Sequence, residues 1–257
     1  MSQPLTKRGW VGAAMAVLRK LGLTPVSQTA PVLLYHSISP PAEPAVDPWR
    51  VTPQQFEQQL AWLYHAGYRG LSLSEFATCV LQKQGFDRRS VLITFDDGYL
   101  DFHRHAWPLL RKYGFVATVF VVTAQVGGTT VWDRDLGVDV PLMDWGQLRE
   151  VAAAGVSIGS HSHDHVRLTD LVADAMKAQL TLSRQRLSDE LAVAPNAVSY
   201  PWGQSNDSVS HAATAAGYSI GFGTEAGLVG PGSQPLHLER LTVTGEWDLD
   251  RLASALQ

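Results

Sequence analysis

The chain has 257 residues, of which 45% are apolar, and its formal net charge is -4. This length and composition suit a globular protein with a large core, and the acidic balance without a basic stripe excludes nucleic acid as a partner. Cys79 is the single cysteine, so an intramolecular disulfide and a cysteine-based zinc cluster are both excluded.

The first 30 residues predict an N-terminal extension, helical or frayed, ahead of a single domain over 31–257. Two basic residues precede the apolar stretch WVGAAMAVL, which is too short to span a bilayer. Arg19 and Lys20 interrupt the stretch beyond that point, so the signal-peptide pattern is weak. We therefore expect no integral membrane segment, and a cytoplasmic or peripheral membrane location is favoured over export. A monomer is the expected oligomeric state.

From residue 31 onward, short apolar strands alternate with helices. PVLLYHS, at 31–37, predicts a buried strand, and Thr52 caps a helix that ends at Gly67. The same alternation predicts strands over 91–95, 117–122, 156–159, 197–200 and 218–222, and helices over 99–113, 144–154, 168–190 and 205–216. Apolar strands separated by helices indicate a parallel sheet covered by helices. The pattern does not separate a barrel from an open sheet, but both collect functional groups at the carboxyl ends of strands.

Two adjacent aspartates occupy one such strand end. Asp96 and Asp97 follow VLITF and precede Gly98. A helix-capping role would explain only one of them. Two carboxylates side by side in a partly buried cleft repel each other, so a cation or a basic group is expected to offset their charge.

Three histidines follow a second strand end, in HSHDH at 161–165. Residues four apart on a helical turn face the same side, so His161 and His165 are expected to reach one metal ion while His163 points elsewhere. A lone histidine is more often a packed or surface residue, but three within five positions weaken that interpretation. Two imidazoles and one carboxylate leave a tetrahedral zinc with room for a water, and the second aspartate can then act as general base on it.

A third motif, SYPWG at 199–203, ends a later strand. A rigid turn there could aim a backbone N–H at a developing oxyanion, and a simple turn with one stacked aromatic is the alternative. The long loop after the strand at 117–122 contains Trp132. Stacking on a sugar and burial against the loop are both open for this side chain.

These motifs resemble those of the polysaccharide deacetylase family, the NodB-homology carbohydrate esterases. TFDDG, HSHDH and YPWG match three family motifs in order, and the similarity extends over 31–243. It is closest to the exopolysaccharide poly-N-acetylglucosamine deacetylase branch. The resemblance implies an α/β fold, a distorted and incomplete (β/α) barrel of about seven parallel strands. It also implies that the protein hydrolyses N-acetyl groups on an acetylated glycan and that this activity depends on a divalent metal ion. Zinc is the expected metal, and other transition metals are the alternatives.

The resemblance also implies a role for each matching residue. Asp96 would be the general base, and Asp97 would bind the metal together with His161 and His165. The backbone N–H of Trp202 would help to hold the oxyanion. The residues expected to contact the sugar are Tyr200, Pro201 and, from the loop argument, Trp132.

Two positions depart from the family pattern. Better-known members begin the third motif with an arginine that orients the catalytic aspartate, where this chain has Ser199. Arg240 is the candidate for that role from the last strand, and a surface ion pair is the alternative. The usual late histidine, a general acid, has no clean match: His36 is expected in the active site with an unassigned role, and His237 is expected to be structural. Asp96, once protonated, could deliver the proton itself.

Three functions remain open from the sequence. The first is N-deacetylation of a glycan that contains N-acetylglucosamine. The second is O-acetyl ester hydrolysis by the same residues. The third is glycan binding with little turnover, which Ser199 and the missing acid motivate.

Overall fold

The computed structural model describes residues 26–256 apart from Val46, Pro48 and Val193. Seven parallel strands form the central sheet: β1 (Val32–Tyr35), β2 (Ser90–Phe95), β3 (Thr118–Val121), β4 (Ser157–Ser160), β5 (Ala197–Ser199), β6 (Ile220–Phe222) and β7 (Leu241–Thr242). Their spatial order is β6-β5-β4-β3-β2-β1-β7, and the short strand Arg69–Gly70 also pairs with β2. The first six strands follow one another as in a barrel, and β7 returns to the side of β1.

The barrel is incomplete between β6 and β7. Within the described residues these two strands do not pair, and the segment before β7 contacts β6 through an isolated bridge between Phe222 and Leu238. The expected incomplete (β/α) barrel of about seven parallel strands is therefore confirmed. Arg240 lies directly before β7, so the gap brings this residue next to β6.

Seven helices flank the strands in the described part of the chain: α1 (Pro53–His65), α2 (Leu73–Leu81), α3 (Trp107–Tyr113), α4 (Trp145–Ala153), α5 (Ala173–Leu191), α6 (Asp207–Ala216) and α7 (Leu249–Ala255). Reciprocal capping boxes begin three of them, including Thr52 with Gln55 at α1. The helix predicted over 99–113 instead begins with a π-helical turn, Phe102–Ala106. The helix predicted over 168–190 is divided into a 3-10 turn, Leu168–Asp170, and α5.

Residues 1–25 lie outside the described part of the chain, as does the helical or frayed segment expected there. Val26–Ser27 pairs with Phe86–Asp87, and Ala30 bridges to Val229, so residues 26–30 pack onto the domain. None of the helices in the described ranges combines the length and apolar character that crossing a membrane requires.

Alternation along β2 determines which side chains face the barrel interior. Ile93 and Phe95 belong to the apolar layer beneath the helices, while Leu92 packs in the barrel interior. Thr94 points inward as well, because its hydroxyl lies 3.4 Å from the Arg240 guanidinium. Side chains two apart on a strand face the same side, so residue 96 is expected to face the barrel interior together with Leu92 and Thr94.

Candidate active site

A left-handed residue explains how two adjacent aspartates face one cleft. Consecutive side chains of a strand point to opposite faces, but Asp97 has a φ of 72° and leaves the extended conformation. The Gly98 N–H donates to the Asp96 carbonyl at 2.9 Å, which closes a tight turn around Asp97. Both carboxylates consequently line the same cleft of 470 Å³.

The Asp97 carboxylate lies beside two imidazoles. Oδ1 of Asp97 is 3.4 Å from Nε2 of His161 and 3.4 Å from Nε2 of His165. All three side chains are buried, and each turns one potential ligand atom towards a common point. The structure thus brings together the three residues expected to bind a metal.

The distances from Asp97 Oδ1 to the two imidazole nitrogens fit a tetrahedral metal ion. Ligand distances of about 2.0–2.1 Å at a tetrahedral angle separate two ligand atoms by about 3.3 Å. The separations of Asp97 Oδ1 from the two Nε2 atoms, 3.4 Å each, agree with that value. Asp97 Oδ1 is moreover buried without a hydrogen-bond partner among the described residues, which is costly unless a cation binds it. The donor set therefore suits a divalent metal ion.

The segment 161–165 reaches this point without the helical turn that the sequence predicts. The chain is irregular there, and Ser162 and His165 have φ values of 61° and 59°. These left-handed residues turn the chain so that His161 and His165 converge. His163 points elsewhere, as expected, and its Nδ1 hydrogen-bonds with the Thr123 hydroxyl at 2.9 Å.

Arg240 holds Asp96 through two parallel hydrogen bonds. Its guanidinium donates to Oδ1 at 2.9 Å and to Oδ2 at 2.7 Å, and its Nε donates to the Gly223 carbonyl at 2.7 Å. The Ser199 hydroxyl donates to Asp96 Oδ2 at 2.8 Å and accepts from Arg240. Arg240 is 0% exposed, so the alternative of a surface ion pair is excluded.

Charge around the two carboxylates keeps them ionised in the metal-free protein. Burial opposes ionisation of Asp96, but Arg240 and then His161 hold the pKa of this carboxyl below its usual value. Burial likewise opposes ionisation of Asp97, but the pKa of this carboxyl is well below normal because the imidazoles of His161 and His165 lie beside it. Asp96 is thus a carboxylate with no place in the metal cluster and a fixed orientation.

The other aromatic residues of the cleft surround these groups. His36 lines the cleft, and its ring lies 5.0 Å from that of Trp49. Burial lowers the pKa of His36. Trp132 also lines the cleft and stacks on His165, with ring centroids 4.3 Å apart and planes 26° apart. Trp132 therefore contacts a proposed metal ligand, in addition to its own loop, at the wall of the cleft.

The turn at 199–203 exposes one of its aromatic residues. Trp202 has a φ of 63°, its side chain is 47% exposed, and Arg167 lies over its ring at 4.5 Å. Tyr200 lines the cleft but is itself buried, with its hydroxyl donating to the Leu236 carbonyl. Pro201 is buried and does not line the cleft, because it occupies the first position of the 3-10 turn. The sugar contact expected for Pro201 stays a prediction, and the structure shows this residue at the start of the turn.

His237 lies outside this cleft. Its two ring nitrogens hydrogen-bond with the hydroxyls of Ser205 and Ser210, at 2.9 and 2.7 Å, which agrees with the structural role expected for it. It lines an adjoining polar cavity of 550 Å³ that shares Trp202, Gly203 and Thr224 with the cleft.

Sequence reasoning assigned no role to several residues of the cleft wall, among them Trp49, Tyr99 and Asp133. Trp49 lies in the proline-rich loop before α1, where an aromatic residue was the only available signal. Tyr99 follows the aspartate turn and is buried against the loop that carries Trp132. Asp133 is 7% exposed, and burial followed by the charge of Asp97 raises its pKa to about 6.

Comparisons with known proteins agree with this geometry. The sequence profile described as polysaccharide deacetylase matches residues 83–221. The protein YxkH of Bacillus subtilis (strain 168) is 31% identical over 214 residues, which cover 83% of this chain and 71% of YxkH.

Two further proteins extend the comparison. The poly-beta-1,6-N-acetyl-D-glucosamine N-deacetylase of Staphylococcus aureus (strain MSSA476) is 29% identical over 208 residues, 77% of this chain and 69% of that enzyme. The Streptococcus pyogenes deacetylase PplD, solved in complex with acetate, superposes with a TM-score of 0.77 at 26% identity, covering 91% of this chain and 100% of PplD. With its motifs, fold and profile in agreement, the chain belongs to the polysaccharide deacetylase family.

Proposed function

We propose that the protein is a zinc-dependent N-deacetylase of a glycan that contains N-acetylglucosamine. The observation that carries the proposal is a three-residue metal cluster, Asp97, His161 and His165, next to the separate carboxylate of Asp96. A metal site with one carboxylate left free is the arrangement that metal-assisted hydrolysis needs. The substrate class is supported by the similarity to the Staphylococcus aureus poly-N-acetylglucosamine deacetylase.

Zinc is proposed on the chemistry of the ligand atoms. Two imidazole nitrogens and one carboxylate oxygen, at tetrahedral spacing, are typical of catalytic zinc sites with an open position. Other first-row divalent metals accept the same ligands, so metal analysis of the purified protein is the direct check.

The residues of the cleft divide the work of amide hydrolysis. When bound, the metal supplies Lewis acidity for the acetyl carbonyl and an activated water at neutral pH. Asp96 accepts a proton from the attacking water while Arg240 keeps the carboxylate in position. The Trp202 N–H is proposed to donate to the carbonyl oxygen as negative charge develops. The C–N bond then breaks, and the products are acetate and an amine that has gained a proton.

His36 is proposed to donate that proton to the departing amine. It is the imidazole that lines the cleft in addition to the two proposed ligands. His237 is unavailable because both of its nitrogens are engaged. A non-catalytic glycan binder was motivated by Ser199 in place of an arginine and by the missing general acid. Arg240 beside Asp96 and His36 in the cleft are the proposed replacements for these two groups, so a hydrolase is favoured.

Acetate release from N-acetylglucosamine oligosaccharides tests the function. We expect Asp96→Asn to lower kcat by about 10²- to 10⁴-fold without loss of metal, because it removes the proposed base. His161→Ala should lose both metal and activity. His163→Ala is the matched control in the same segment and should retain most of both.

Three outcomes would contradict the proposal. Equal acetate release by the wild type, Asp96→Asn and His161→Ala would refute the assigned site. Faster release from acetylated xylan than from the N-acetylated oligosaccharides would indicate an O-acetyl esterase. Glycan binding in calorimetry by the metal-loaded wild type without acetate release would indicate a binding protein.

A further inference from the structure

The two proposed metal-binding histidines are held in different ways. His161 Nδ1 donates to the Ser199 carbonyl at 2.8 Å, which leaves Nε2 free to face the metal point. Ligand histidines usually make such a hydrogen bond, because it fixes the tautomer and the ring orientation. His165 Nδ1, in contrast, is buried and has no hydrogen-bond partner within the described residues.

Indole stacking takes the place of that hydrogen bond at His165. The Trp132 ring lies 4.3 Å from the His165 ring at an interplanar angle of 26°, and the Trp202 ring lies 5.4 Å away at 54°. The hydroxyl of Ser162 accepts from the His165 backbone N–H at 3.1 Å, so the backbone is fixed separately. What remains to be fixed is the rotation of the ring, and a flat aromatic neighbour restricts it.

The Trp132 side chain is itself held in place by the loop that carries it. It lies in the 3-10 turn Val131–Leu136 and packs against an apolar cluster of Tyr99, Val140 and Leu142. Thr130 closes the base of the loop, with its backbone N–H and its hydroxyl both bonded to Val140. An indole anchored at this base can hold His165 without being part of the metal site.

We propose that Trp132 is the positioning residue of His165 and that metal affinity depends on its aromatic face. The inference rests on the proposed metal site. Metal binding draws electron density from the imidazole, and an electron-rich indole face stabilises the positive charge that results. Loss of the stacking partner should therefore weaken metal binding as loss of a hydrogen-bonding partner of a ligand does, by about 10-fold or more.

Zinc titration of the metal-free protein against a competing chelator tests the inference without an activity measurement. We expect Trp132→Leu, which keeps an apolar side chain but removes the aromatic face, to weaken zinc binding by about 10-fold. Trp132→Phe should bind within about 3-fold of the wild type, since the ring face is retained. Trp49→Ala is the matched control, because the Trp49 ring lies in the same cleft 5.0 Å from the ring of His36, which is not a proposed ligand.

The variants separate failure of this inference from failure of the metal site. If the wild type binds zinc, His161→Ala does not, and Trp132→Leu binds as the wild type does, the positioning role is refuted while the metal site stands. If Trp132→Leu and Trp132→Phe leave zinc affinity unchanged and raise only the KM for the glycan, Trp132 is a sugar contact. Equal loss of affinity in Trp49→Ala would also refute a specific role. Far-UV circular dichroism of each metal-free variant verifies folding.

Discussion

At the scale of single residues, Arg240 and Ser199 together hold the carboxylate of Asp96. In the better-known relatives that the motifs resemble, an arginine at the start of the third motif orients the catalytic aspartate. Here Ser199 occupies that position, and Arg240 reaches the same carboxylate from the segment before β7. The carboxylate requires a fixed donor pair beside it, whichever strand supplies the donors.

Replacement of Arg240 by Met should therefore affect both stability and catalysis. The change leaves the buried Asp96 charge without its partner, so we expect the free energy of unfolding to fall by about 3–5 kcal/mol. The pKa of Asp96 should rise, because burial is then less opposed, and kcat should fall with the loss of the ionised base. Denaturant unfolding of the metal-free protein and acetate release measure the two effects.

Two double variants provide the controls. Asp96→Asn/Arg240→Met should lose less stability than the sum of the single changes, since no unpaired charge remains. Ser199→Arg/Arg240→Ala returns an arginine to the third-motif position, and partial recovery of kcat over Arg240→Ala would support exchange between the two positions. Strict additivity in the first double variant would contradict the ion-pair argument.

At the scale of elements, irregular residues at the ends of regular strands build the site. Asp97, Ser162, His165 and Trp202 all have positive φ, and each lies in one of the three motifs. Such conformations are costly for residues with side chains and collect at functional sites. The regular strands β2, β4 and β5 bring these ends together, and the left-handed residues then turn the side chains into the cleft.

Gly98 allows the aspartate turn to lie close to β3. Its φ is +77°, and a Cβ there would lie 2.8 Å from Cγ1 of Val121. We expect Gly98→Ala to lower the free energy of unfolding by about 2–4 kcal/mol, from backbone strain and steric overlap together. Thermal and denaturant unfolding of the metal-free protein measure the change.

Alanine substitutions at two other glycines separate the cost of backbone strain from the cost of steric overlap. Gly137 has a φ of +70°, and a Cβ added there would have no neighbouring atom within 4 Å, so Gly137→Ala should cost only the backbone strain, about 1–2 kcal/mol. Gly232 has neither restriction, and Gly232→Ala should be nearly neutral. A Gly98→Ala cost no greater than that of Gly137→Ala would show that contact with Val121 is unimportant.

At the scale of the whole molecule, the proposed metal joins distant parts of the chain. Asp97 follows β2, while His161 and His165 follow β4, with β3 between the two strands in the sheet. The unfolded chain does not hold these ligands together, so metal binding favours the folded state.

Zinc should therefore raise the melting temperature. At a free zinc concentration of 100 times Kd, the stabilisation is about 2.7 kcal/mol, or about 5–10 °C for a chain of this size. His161→Ala should remove the increase, and His163→Ala should retain it. An equal increase in His161→Ala would mean that zinc stabilises the protein through a different site.

The sequence by itself determined the alternating elements and the residues able to bind a metal. Apolar runs separated by helical periodicity predict the parallel sheet, and these patterns are local because burial imposes them on each element. Asp96, Asp97, His161 and His165 are recognisable because carboxylates and imidazoles at strand ends have few structural explanations. The helical turn predicted for 161–165 is wrong, since positive φ at Ser162 and His165 has no local sequence signal there.

Only the tertiary structure decided the contacts between distant segments. Arg240 meets Asp96 across 144 residues of chain because the barrel is open between β6 and β7. Trp132 reaches His165 because its loop folds back onto the cluster around Tyr99. Contacts of this kind depend on the curvature of the sheet and the course of the loops, which no single segment encodes. Residue type identified the groups that can perform the chemistry, and packing determined which groups hold them in place.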